Sequence, residues 1–178
     1  GLDGSGLLRG VESVPAVASA TFDRAFPHTL RIVVQSEQAV AVLRRGPDSW
    51  LVSARGRILG HVRPRTLGAL PRIWIRRTKP AEIGTTLPDD GGGAAARALA
   101  PLVHTSFAAR VATATLAGDE LDFTLRSGVE VRLGHPVDLR LKFAVARRLI
   151  AKLPAGARYL DVSVPERPVA GTDPQLSG

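Results

Sequence analysis

Three short runs of apolar alternation follow one another between Arg110 and Leu133, separated only by the turn pairs Gly118-Asp119 and Ser127-Gly128. Alternation with period two marks a strand with one buried face. Such short glycine-containing links are hairpin connections, so neighbouring strands run antiparallel. Strands are therefore expected over 110–116, 121–125 and 129–133. Directly afterwards Val137, Leu141, Val145, Leu149 and Leu153 recur at i, i+4, with Leu139, Ala146 and Ile150 widening the stripe. That spacing predicts an amphipathic helix, ended by Pro154-Ala155-Gly156. A strand over 158–164 completes this part. A sheet built on hairpins with a long helix on one face is an α+β arrangement.

The same period governs the first half. Val17, Ser19, Thr21 and Asp23 alternate with Ala18, Ala20, Phe22 and Arg24, and after a break at Phe26-Pro27-His28 the pattern resumes through Leu30, Ile32 and Val34. Proline fixes φ and offers no N–H to a ladder, so Pro27 belongs in the connection of a hairpin, with strands over 17–24 and 29–35. Upstream, Asp3 is an N-cap candidate for a helix carrying Leu7, Val11 and Val14, although Gly4, Gly6 and Gly10 weaken it. Further strands are expected over 39–44, 50–53, 57–60 and 72–76, with Gly56 available for positive φ. Residues 79–93 form a Gly/Pro/Asp-rich loop, and 94–103 a helix ended or kinked by Pro101.

The chain of 178 residues carries 24 basic and 16 acidic side chains, a net charge of +8. The surplus is almost all arginine, scattered in pairs, and only eight residues are aromatic. A diffuse positive field without a stacking platform argues against specific nucleic-acid recognition. There is no cysteine, which excludes disulfides and thiolate metal sites. No run reaches the ~18–20 apolar residues of a membrane span, and no targeting peptide is visible. With no initiator Met, the sequence reads as a piece of something longer. Gly4–Gly6 and Gly91–Gly93 lack the phosphate-cradle patterns and read as turn or linker glycines, and the four histidines are far apart. No serine sits in a nucleophile elbow. Nothing here supplies catalysis, a cofactor or a metal, and the expectation is a protein that is not an enzyme.

The order of these features resembles the extracytoplasmic part of the FtsQ/DivIB bacterial cell-division proteins. Val14-Pro15-Ala16-Val17, then Ala20-Thr21-Phe22-Asp23-Arg24-Ala25-Phe26-Pro27-His28-Thr29-Leu30-Arg31-Ile32, is similar to the closing helix and hairpin of that family's POTRA domain. Trp50 to Leu59, Leu70-Pro71-Arg72-Ile73, Ser127 to Gly134 with Asp138 and Lys142, and Tyr159-Leu160-Asp161-Val162-Ser163-Val164-Pro165 match later motifs in the same order. Two departures stand out. Ser36, Glu37 and Ala39 replace the family's Glu, Arg and Pro at the join after the hairpin, and Ser163 and Val164 replace an arginine and a tyrosine of the last strand.

The resemblance implies a partial POTRA (helix plus β-hairpin) over 1–37, a mainly antiparallel β-sheet domain with helices on one face over 38–168, and a disordered tail over 169–178. It implies a divisome scaffold at the extracytoplasmic face of the cytoplasmic membrane, at the septum, single-pass in full length through an upstream span. The implied partners are FtsB/FtsL-type division proteins, bound by strand addition at the last strand, so that septal peptidoglycan synthesis is regulated. Tyr159, Leu160, Asp161, Val162, Ser163 and Val164 are the partner-binding residues expected on this reading. The rivals are a POTRA-bearing transport or assembly factor and a basic nucleic-acid-binding module.

Overall fold

The structure, a computed structural model, describes residues 4–25, 29–63, 70–74, 81–89 and 92–172. Asp3, the Phe26-Pro27-His28 connection, the end of the strand expected over 72–76 and parts of the 79–93 loop lie outside the described residues. A first unit consists of α1 (Gly4–Glu12) packed on a two-stranded sheet, β1 (Val17–Ala25) and β2 (Thr29–Ser36). The two strands are antiparallel, with Phe22 opposite Ile32 and Ala20 opposite Val34. Every residue of β2 is exposed.

The second unit is a nine-stranded sheet containing β3 (Ala39–Arg45), β4 (Asp48–Ser53), β5 (Ile58–His61), β6 (Arg72–Trp74), β7 (Val111–Ala117), β8 (Glu120–Leu125), β9 (Glu130–Gly134), β10 (Tyr159–Asp161) and β11 (Val169–Gly171). Their spatial order is β5-β4-β3-β6-β7-β8-β9-β10-β11. The pairs expected from hairpin links are antiparallel: β3 with β4, β4 with β5, β7 with β8, and β8 with β9. Three pairs are parallel, β3–β6, β6–β7 and β9–β10. A parallel neighbour needs a crossover that leaves the plane of the sheet. α2 (Gly93–Leu99) lies on the β6–β7 crossover and α3 (Leu139–Ile150) on the β9–β10 crossover. The chain is thus an α+β fold with both crossover helices on one face, where Phe143 of α3 stacks on Phe123 of β8 at 5.7 Å and meets Phe107, downstream of α2, at 6.4 Å.

That face holds one continuous core. Leu121, Phe123 and Leu125 of β8, Val131 and Leu133 of β9, and Ile73 of β6 pack against Ala95, Ala98 and Leu99 of α2 and Phe143 and Ala146 of α3. As expected, Pro101 ends α2, and the chain continues as a single 3-10 turn over Ala100–Leu102. Gly56 takes φ 79° in the β4–β5 turn. Gly93 is more than a linker glycine. A Cβ there would stand 2.5 Å from the Leu87 carbonyl oxygen and 2.9 Å from that of Pro88, so the helix can start against this loop only without a side chain.

α3 departs from the expected stripe. It ends at Ile150 rather than Leu153, and its sheet-facing side is Lys142, Phe143 and Ala146, supported by half-buried Leu139, Val145, Leu149 and Ile150. Val137 and Leu141, expected in the core, are 59% and 49% exposed. The buried Lys142 ammonium donates to the carbonyls of Leu133 (2.7 Å) and His135 (2.8 Å). It ties the helix to the end of β9.

Candidate partner-binding edge

The expected edge strand is interior. β10 pairs in parallel with β9, Tyr159 opposite Glu130 and Asp161 opposite Arg132, and antiparallel with β11, Tyr159 opposite Gly171 and Asp161 opposite Val169. The segment expected as a disordered tail therefore begins with a strand, and β11 rather than β10 is the last strand. Two local devices cause this. The Asp161 carboxylate accepts from the Ser163 backbone N–H (2.8 Å) and hydroxyl (2.6 Å), an Asx-type turn that bends the chain out of β10. After Pro168 the chain returns extended, and the Tyr159 ring lies so close over Gly171 that a Cβ would come within 2.8 Å of it.

The six residues expected to bind a partner consequently divide. Leu160 and Val162 are buried in the core and present no side chain to a partner. Val162 still donates its N–H to Arg132 (2.9 Å), while Val164, past the turn, is exposed. Tyr159 and Asp161 lie on the helix-free face of the sheet. Laterally paired positions there form a polar row running Thr115, Asp122, Arg132, Asp161 across β7 to β10, and beside it Thr113, Thr124, Glu130, Tyr159. Arg132 ties the two rows: its Nε donates to Glu130 Oε1 at 2.8 Å, and its guanidinium lies 4.8 Å from the centre of the Tyr159 ring. Burial, with the Glu130 and Glu120 carboxylates adding repulsion against an opposing Arg132, pushes the Asp122 carboxyl up to about 6.

The two edges of the large sheet are treated differently. Beside β5, Ile58 donates to the Thr85 carbonyl (2.8 Å), Gly84 to Ile58 (2.8 Å) and Leu87 to Gly56 (2.8 Å), so the following loop occupies that edge. Among the described residues nothing pairs with the outer side of β11. An uncovered edge carries free backbone N–H and C=O groups that a strand from another chain can use. Sequence reasoning missed β11 because Val-Ala-Gly is too short to show a period, and it sits beyond two prolines.

The join between the two units is held by side chains. The buried Glu37 carboxylate accepts from Arg55, whose Nη2 also donates to the Ala18 carbonyl at 2.9 Å. Arg57 reaches Val17 O (3.3 Å) and Gly84 O (3.2 Å).

No family model matches the chain, and no curated protein matches it at a significant level.

Proposed function

We propose that this chain is the extracytoplasmic region of an FtsQ/DivIB-type division scaffold and that it holds an FtsB/FtsL-type partner by strand addition at β11. The observation that carries the reading is the β11 edge, unpaired among the described residues, at the end of a sheet whose other edge is occupied. The order of motifs along the chain and the sequence of elements, helix and hairpin and then a sheet with two crossover helices, support it. Strand addition draws on backbone groups, so it tolerates Ser163 and Val164 in place of the family's arginine and tyrosine. No helix among the described residues is long and apolar enough to cross a membrane. On this reading the anchor is an upstream span, the chain acts at the septum, and its part in septal wall synthesis is regulation through the bound partner rather than chemistry.

Proline placed singly at Val169, Ala170 and Gly171 tests this. Each variant is checked for folding by circular dichroism and titrated with an FtsB-like peptide. Loss of binding at positions whose N–H points away from β10, with binding kept in a folded neighbour, is the expected alternation. Undiminished binding in every folded variant removes β11 from the reading.

A further inference from the structure

A second surface, away from β11, is built for a ligand of definite chemistry. Between α3 and the segment after α2 lies a groove of ≈ 330 Å³. Its floor is apolar: Leu102, Phe107 and Phe143, each buried to 6% exposure or less. Thr105 lines it but has its hydroxyl committed, donating to the Leu102 carbonyl at 2.6 Å. The remaining polar side chains of its lining are Arg140 and Arg147 of α3, with exposed Ala144 between them.

Neither arginine has an acidic partner among the described residues, and α3 itself contains no acid. The exposed side of the helix continues the pattern with Leu141, Arg148 and, past its end, Lys152. Exposed arginines of a folded protein that merely solubilise are commonly interspersed with acids and stand over polar surface. Here two cations frame an aromatic floor, which calls for a partner that is both acidic and apolar.

Spacing narrows the partner's conformation. Arg140 and Arg147 are seven residues apart, two turns on one side of α3 and about 10.5 Å along its axis. Carboxylates on an extended strand repeat on one face at about 6.7 or 13 Å, which fits poorly. Carboxylates at i and i+7 of a second helix repeat at the same distance as the arginines, and residues i+3 and i+4 between them face the groove. The small Ala144 lets that helix approach. A bilayer surface is flat and cannot fill a concave floor, whereas side chains projecting from a helix can.

We infer that the groove between α3 and the post-α2 turn docks an acidic amphipathic helix of a partner protein, with carboxylates two turns apart on Arg140 and Arg147 and apolar side chains against Phe107 and Phe143. This holds whatever binds β11, and its test leaves β11 untouched. The probe is a labelled helical peptide with Glu at i and i+7 and Leu at i+3 and i+4, titrated into the whole chain by fluorescence anisotropy. Controls are the same peptide with both Glu replaced by Lys, the same peptide with both Leu replaced by Ala, and vesicles of mixed anionic and neutral lipid. Saturable binding is expected for the Glu peptide alone, weakening as salt rises. Arg140→Glu with Arg147→Glu, both at exposed positions, should weaken it about tenfold or more and transfer preference to the Lys peptide. Absence of saturable binding overturns the inference. So does equal binding of the Ala control, an unchanged affinity in the doubly reversed variant, or vesicle binding through these arginines without peptide binding.

Discussion

Lys142 offers a quantitative test of how α3 is held. Its ammonium is buried, 3% exposed, and bonded to two backbone carbonyls, with no carboxylate among its hydrogen-bond partners. Lys142→Met keeps most of the stem and removes the charge. The loss is two charge-assisted hydrogen bonds of about 1.5–3 kcal/mol each. Against this, the desolvation of a buried cation, several kcal/mol, is no longer required. The Leu133 carbonyl is then left without its Lys142 donor in the core, at about 1–3 kcal/mol, while the His135 carbonyl still accepts from the Val137 N–H at 2.8 Å. The net expectation is a loss of about 2 kcal/mol, and of about 4 kcal/mol for Lys142→Ala, which also gives up roughly three buried methylenes at ~0.8 kcal/mol each. In a chain of this size the Met variant should melt about 4–8 °C lower. Urea unfolding followed by tryptophan fluorescence gives the free energies directly. A Met variant as stable as the parent would mean that the two bonds do not outweigh desolvation, and the tie assigned to Lys142 would be wrong.

Three further expectations come from other parts of the molecule. The Asp122 carboxyl is raised from 3.8 to about 6, so its contribution is fully favourable below pH 4 and is lost as pH rises through 6. Asp122→Asn should therefore stabilise by about 1 kcal/mol at pH 7.5, after allowance for solvent screening on the open face, and by close to nothing at pH 3, as thermal melts at both values would show. Gly93→Ala forces a methyl against the Leu87 carbonyl and should destabilise by about 1–3 kcal/mol although alanine favours helix, which chemical denaturation would detect. Amides of β2, exposed along its whole length, should exchange faster than those of β8 and β9, and equal protection would show that the hairpin is braced by something beyond α1.

What could be read in advance was local. The Gly118-Asp119 pair joins Ala117 to Glu120 as a two-residue hairpin, and Gly128 closes the next link, with Gly118 and Gly128 at positive φ. Alternation marks strands with one buried face over 121–125 and 129–133, and the structure turns Leu121, Phe123, Val131 and Leu133 inward. Order in the sheet was not legible, because β3–β6–β7 and β9–β10 are parallel pairs between segments distant in sequence, and no turn chemistry announces such pairing. The α3 stripe was half right for a related reason. Periodicity treats lysine as exposed, so it turns the helix toward Leu141, whereas the carbonyls at the end of β9 draw Lys142 inward and leave Leu141 to solvent; Val137 lies ahead of the helix, before the left-handed Asp138. Tyr159 to Val164 was rightly extended at its start, but a period-two pattern does not reveal that Asp161 will bond Ser163 and end the strand. Nor does it show that a later Gly171 will slide under Tyr159.

The most direct measurement is residue-resolved amide exchange on the whole chain, with and without the FtsB-like peptide. Amides of Val169 to Gly171 that point away from β10 are expected to exchange quickly in the free protein and to become protected on binding, while Leu160, already paired on both sides, changes little. Protection that appears on β2, or at the loop beside β5, with β11 unaltered would contradict strand addition at β11.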